Sequence, residues 1–376
     1  MKKILFSAVA ALMCSMLSFS QENPRWLRQS AISPDGKTIA FSYQGDIFTI
    51  GAEGGRACQI TSSSSYEADP LWTADGSELV FSSMREGTKD VWVVAAGGGT
   101  PRRLTSWPGA ETPLAVTPDG YVLFSANIQP DAESSAFPGT AQLYKVSLKG
   151  GRERVVASLQ VSGLSVGADG TILYEDYKGY EDALRKHHTS SVTRDIWRWE
   201  PSGGTFTRLT DFTGEDRNPV FAPGGREYWY LSEQGGNFNV WKAPVDASAP
   251  ARQVSFLPVH PVRYLSASAD GLLLFSYNGD LYTMREGGEP RRLDVTVVKD
   301  KTVKDKTRRS ASGTTDIAES PNGKEIAVES RGDIFVTAID NGRTRRITCT
   351  PERESGLSFS PDGRELYYAS ERNGHW

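Results

Sequence analysis

Read only for apolar and polar positions, the chain is a succession of short apolar runs separated by polar turns. Ile39-Ala40-Phe41, Leu79-Val80-Phe81, Val122-Leu123-Phe124 and Ile172-Leu173-Tyr174 are followed by Tyr228-Trp229-Tyr230, Leu273-Leu274-Phe275, Ile326-Ala327-Val328 and Leu366-Tyr367-Tyr368. Each run comes directly after a turn of one type. The turns are Ser33-Pro34-Asp35-Gly36, Thr73-Ala74-Asp75-Gly76, Thr117-Pro118-Asp119-Gly120 and Gly167-Ala168-Asp169-Gly170. They continue with Ala222-Pro223-Gly224-Gly225, Ser268-Ala269-Asp270-Gly271, Ser320-Pro321-Asn322-Gly323 and Ser360-Pro361-Asp362-Gly363. The chemistry is that of a tight turn: Pro presets φ, Asp or Asn accepts local backbone hydrogen bonds, and Gly takes the positive φ.

A second apolar run follows each of the first seven, most of them opening on an aspartate: Asp46, Asp90, Asp195, Asp280 and Asp333. A third, more exposed run carries basic residues and Thr, as in Arg103-Leu104-Thr105, Arg208-Leu209-Thr210 and Arg346-Ile347-Thr348. A fourth precedes every turn, as in Asp69-Pro70-Leu71-Trp72. Four short strands per unit of this length predict a β-propeller, an all-β fold. A sandwich does not repeat at this period, and a helical solenoid would show a 3.6-residue period that is absent.

Six full units occupy roughly residues 26–295. Residues 297–312 are charged and patternless, and read as a connector rather than a nucleic-acid patch. The repeat then resumes over 313–376. Its last unit stops at Trp376, short of the strand that in the second unit begins at Asp90, so the sequence reads as the front part of a longer protein. The expected organisation is a leader at 1–20, a six-bladed ring at 21–296, a connector at 297–312 and one to two blades of a second propeller at 313–376. The aromatic residues Phe335, Phe359, Tyr367 and Trp376 of that last segment are expected to stay partly exposed.

Composition adds compartment and excludes classes. Lys2 and Lys3, the apolar run Ile4–Met13 and the small residues Ser18 and Ser20 before Gln21 form an export signal, cleaved after Ser20 and implying a periplasmic location. The apolar run is too short for a permanent membrane span. A lipoprotein reading through Cys14 is disfavoured by Met13 in front of it. Net charge is −4, and −6 once the leader is gone, which disfavours nucleic acid as a partner. Cys58 and Cys349 are read as separate buried thiols.

Candidate chemistry is sparse. Gly163-Leu164-Ser165-Val166-Gly167 matches the G-x-S-x-G elbow, but "SGLSVGADG" aligns with "SGLSFSPDG" at 355–363, which makes Ser165 a strand residue. His187 and His188 are adjacent and therefore point apart on an extended segment, with no metal-ligand partner nearby. His260 and His375 are isolated. The repeated aspartates are read as hydrogen-bonding devices, one per blade. No catalytic residue, metal site or cofactor is expected, and no binding residue can be placed.

At "SPNGKEIAVESRGDIFVT", "RRITCTPERESGLSFSPDGRELYYASERNGHW" and "RKHHTSSVTRDIW" the chain resembles the tricorn protease homologues. That resemblance implies a six-bladed propeller, a seven-bladed one, and a serine peptidase portion lying beyond Trp376. It implies peptides as substrates, guided by the propellers, and a possible homo-oligomer. The alternative reading is a non-catalytic binding propeller similar to that of the Tol envelope system, which would need a small α/β domain ahead of the ring. A prolyl-oligopeptidase-like hydrolase is disfavoured by the repeat that restarts after the connector.

Overall fold

The computed structural model describes residues 24–128, 141–180, 190–298 and 314–376, and every helix-or-strand element among them is a β-strand. The leader, most of the connector, and His187 and His188 lie outside the described residues.

The repeated turn explains how each unit starts. In the first, the Ser33 hydroxyl donates to Asp35 Oδ1 at 2.6 Å while that oxygen accepts the Lys37 amide at 3.1 Å. The Thr38 amide donates to Ser33 Oγ at 3.0 Å, and Gly36 adopts φ +72°. The same serine- or threonine-to-Asx bond recurs at Thr73–Asp75, Thr117–Asp119, Ser268–Asp270, Ser320–Asn322 and Ser360–Asp362. Each turn thus reverses the chain into an antiparallel ladder.

The first blade consists of Arg28–Ile32, Thr38–Tyr43, Asp46–Gly51 and Gly55–Gln59 in antiparallel order. The next five blades open on inner strands Glu67–Trp72, Glu111–Val116, Val161–Val166, Asp216–Phe221 and Arg263–Ala267, each in its own four-stranded sheet. At one register position the two middle strands pair aromatic with aromatic: Phe41 with Phe48, Phe81 with Trp92, Phe124 with Tyr144, Tyr174 with Trp197, Tyr230 with Trp241 and Phe275 with Tyr282. Such pairs are the unit of sheet stabilisation, and here they also supply the large side chains that fill the gaps between blades.

The inner strands touch in cyclic order, and the sixth packs on the first. The core divides accordingly into six clusters, one in each seam between neighbouring blades. The seam that closes the ring joins Ile32, Phe41 and Phe48 of the first blade to Leu274 and Leu281 of the sixth. Backbone bonds stitch the seams. The amides of Leu27, Glu67, Glu111, Asp216 and Val262, just before or at the start of inner strands, donate to Gly279, Gly45, Lys89, Arg194 and Phe238 of the preceding blade, at 2.7 to 3.1 Å.

One element escaped the repeat pattern. Val295–Val297, where the connector was expected to begin, forms a strand that pairs in parallel with Gly55–Gln59, the outer strand of the first blade. The chain leaving the sixth blade therefore straps the first.

Beyond the connector stand a seventh four-stranded sheet, Thr314–Glu319 to Thr344–Arg346, and a two-stranded one, Glu354–Phe359 with Leu366–Ser370. Phe335, equivalent to the fully buried Phe48, is only half-buried, as is Phe359; Tyr367 and Trp376 are exposed. The missing burial reflects a sheet packed on one neighbour where a ring blade has two.

Cys58 and Cys349 are free, as expected, but they are exposed and not buried. Cys58 lies on the outer strand of its blade, just past the three residues that pair with the strap, and Cys349 lies just past the outer strand of the seventh blade.

Candidate mouth of the ring

The outer, fourth strands explain the repeated aspartates. Arg103 meets Asp90 at 3.0 Å, Arg208 meets Asp195 at 2.9 Å, Arg292 meets Asp280 at 2.9 Å and Arg346 meets Asp333 at 2.6 Å. In the first blade Gln59 takes the arginine's place, donating to Asp46 at 3.1 Å. Two residues on, the threonine hydroxyl accepts the amide that follows the aspartate. Ile47 reaches Thr61, Val91 reaches Thr105, Ile196 reaches Thr210 and Ile334 reaches Thr348, all at 2.9 Å. These carboxylates tie third strand to fourth, and no group of metal-ligating side chains occurs among the described residues.

Ser165 lies inside the inner strand Val161–Val166, opposite Leu173, and its hydroxyl has no hydrogen-bond partner. A nucleophile needs a base within reach, and this one has none. His260 packs edge-on against Tyr277 at 5.5 Å, and His375 is exposed.

What the sequence did not reveal lies along the axis. Gln29, Asp69, Asn218 and Tyr264 occupy one position on four inner strands, each with φ between +48° and +56°, at a register shift. A left-handed backbone costs an ordinary residue about 1–2 kcal/mol, and the polar side chains offset it by bonding to the next blade. Gln29 donates to Asp69 at 2.7 Å, and the Asn218 amide both donates to and accepts from the backbone of Leu265 at 3.0 and 2.8 Å. Tyr264 is the bulky exception. Burial raises its hydroxyl pKa, opposed by the nearby Arg28 and Arg263 and reinforced by Tyr66 and Asp69. The only sequence signal for these bulges is Asx-Pro in Asp69-Pro70 and Asn218-Pro219.

Tyr264 opens onto a cavity of about 80 Å³ at one end of the ring. Trp26, Arg28 and Arg263 line it from the ring; Pro351, Arg353 and Glu371 line it from the C-terminal strands. Arg28 lies 4.3 Å over the Trp26 ring, and Arg331 of the seventh blade lies 4.7 Å over Tyr66. The C-terminal strands therefore sit on this end of the ring, beside the first, second and sixth blades. Around the rest of the same end, Met84, Trp107, Tyr180, Phe256 and Val259 stand exposed on hairpins and loops. Among the described residues, the opposite end of the ring carries no large exposed apolar side chain on its turns.

Residues 24–290 match the family described as "Tricorn protease N-terminal beta propeller domain". The chain belongs to the tricorn N-terminal propeller family. It is 26% identical over 342 residues to "Tricorn protease homolog 1" of Streptomyces coelicolor, covering 88% of this chain and 31% of that protein. It is 22% identical over 309 residues to "Tricorn protease homolog" of Saccharolobus solfataricus, covering 80% of this chain and 27% of that one. The tricorn-type ring described here thus comes in a chain spanning about a third of the length of such relatives. Among solved structures, the "Crystal structure of the tricorn protease" superposes with a TM-score of 0.61 at 18% identity, covering 88% of this chain and 32% of that one, which is a likeness of fold.

Proposed function

We propose that this chain is the propeller portion of an exported, tricorn-like serine peptidase, and that the end of the ring bearing Trp107 and Phe256 receives peptides for it. The match of residues 24–290 to the tricorn propeller family carries the reading. The exposed rim supports it, because an apolar rim around charged side chains suits an extended polypeptide, whose apolar side chains and charged termini need both. The chain itself hydrolyses nothing on this reading: no nucleophile, base and orienting group come together among the described residues.

Fluorescence anisotropy with labelled mixed peptides tests the mouth. Wild type should bind, and a Trp107→Ala/Phe256→Ala variant, altered at exposed positions, should bind at least about tenfold more weakly, the loss of roughly 1.4 kcal/mol. Equal binding by both, or none by wild type, removes the mouth from the proposal. Hydrolysis of fluorogenic peptides by the chain, abolished by Ser165→Ala, would overturn its non-catalytic part. For export, the periplasmic fraction should contain a chain beginning at Gln21; an uncleaved cytosolic chain would refute it.

A further inference from the structure

The start of each inner strand faces the preceding blade at a fully buried position, and the ring fills it in three ways. In three seams the residue is apolar: Leu27, Val161 and Val262. In one it is an acid with a cation: Glu67, fully buried, accepts from the Ser83 hydroxyl at 3.1 Å and pairs with Arg85. In the remaining two it is an acid without a cation. Glu111, between the second and third blades, and Asp216, between the fourth and fifth, are fully buried and pair with no cation among the described residues; neutral hydroxyls stand beside them, Thr105 at Glu111 and Thr210 and Ser232 at Asp216.

Their surroundings make ionisation costly. Across the seam from Glu111 stands Asp90, whose own cation is Arg103; Lys89 turns to Asp69 at 3.0 Å, and Glu153 adds further negative charge. Across from Asp216 stands Asp195, which takes both Lys178 at 2.5 Å and Arg208 at 2.9 Å. Arg194 and Arg217 are drawn to Glu215 instead, Glu233 adds negative charge, and the neighbouring Tyr228 and Tyr230 are buried. Each seam therefore holds a buried acid with a threonine, Thr105 or Thr210, beside it, while the nearby cations have gone to other carboxylates. A buried carboxylate with no cation is expensive, whereas a carboxylic acid is not.

We infer that the second–third and fourth–fifth seams are proton-operated latches, closed while Glu111 and Asp216 carry a proton and loosened when they lose it. Burial, opposed by the Thr105 hydroxyl, pushes Glu111 up to about 7, and burial, opposed by the Ser232 and Thr210 hydroxyls, does the same for Asp216. Both folded values lie above the ordinary carboxylate range of the unfolded chain. The native ring thus binds the extra protons. Its stability from these groups is fully present below about pH 4 and is lost as pH rises through 7. The loop carrying Trp107 runs directly into the strand that opens on Glu111, so a loosened second–third latch reaches the mouth.

Unfold the chain in urea between pH 5.5 and 8.5, as wild type and as Glu111→Gln/Asp216→Asn, whose amides mimic the protonated acids. The wild-type midpoint should fall with rising pH, and the double variant should lose most of that slope. Glu67→Gln, at the equivalent position with its arginine, should lower the midpoint and keep the wild-type slope. If the double variant does not fold, calorimetry of wild type at pH 6 in buffers of different ionisation enthalpy reads the same quantity, with about two protons released on unfolding from these groups. A wild-type midpoint independent of pH, a slope unchanged in the double variant, or no proton release would each overturn the latch.

Discussion

Replacing Gly54 by alanine tests how the ring is held shut. Gly54 has φ +90°, and a methyl group there would lie 2.7 Å from the Asp294 carbonyl oxygen and 3.3 Å from its amide nitrogen. That carbonyl accepts the Gly55 amide at 2.7 Å and begins the parallel pairing of Val295, Thr296 and Val297 with Gly55, Arg56 and Ala57. Val295, at 6% exposure, is brought into the closing seam by the same strap, beside Leu293, which its own blade holds through Leu281. Left-handed strain costs about 1–2 kcal/mol, and losing the bond about 1 kcal/mol. Partial re-exposure of Val295 adds about 1 kcal/mol, a fraction of the roughly 1.5–3 kcal/mol for full burial of such a side chain. Gly54→Ala should therefore destabilise the ring by about 3–4 kcal/mol. Gly55→Ala is the internal control: φ is +113°, but nothing lies within 4 Å of the added methyl, so only the strain of about 1–2 kcal/mol applies. Urea unfolding at constant pH measures the difference, and hydrogen exchange at Gly55 locates it. Equal midpoints for the two variants would refute the strap as a source of closure.

Phe48→Ala should cost about 3–5 kcal/mol, because Phe48 is fully buried in the closing seam. Phe335→Ala, at the half-buried equivalent, should cost under about 2 kcal/mol, and amides of 314–376 should exchange before those of the ring; equal protection would contradict this. Arg331→Ala should weaken the seating of the C-terminal strands by about 0.5–1 kcal/mol, the worth of a cation–π contact, as read by a double-mutant cycle with Tyr66→Leu. Zero coupling would show that the 4.7 Å contact holds nothing.

The family resemblance and the propeller were legible because a propeller blade is a local object. A Ser-Pro-Asp-Gly turn, an apolar triplet and an aspartate–arginine pair all act within about forty residues, so their signature survives in linear order at Ser33, Ser320 and Ser360 alike. The dismissal of Ser165 came from the same source, since its alignment with the strand at 355–363 placed it on an inner strand. The local pattern could not show what a position meets across a seam. Leu27, Glu67, Glu111, Val161, Asp216 and Val262 share one place in the ring, yet only the tertiary structure shows that Glu67 has Arg85 while Glu111 and Asp216 have no cation. It alone turned Val295–Val297 into a strap on residues 55–57, because parallel pairing across some 240 residues leaves no periodic trace. It also gathered Met84, Trp107, Tyr180, Phe256 and Val259, scattered through the sequence, onto one end of the ring. Sequence order records what a strand does to its neighbours within a blade; ring closure decides which charges are buried and which end is exposed, because both depend on contacts between blades.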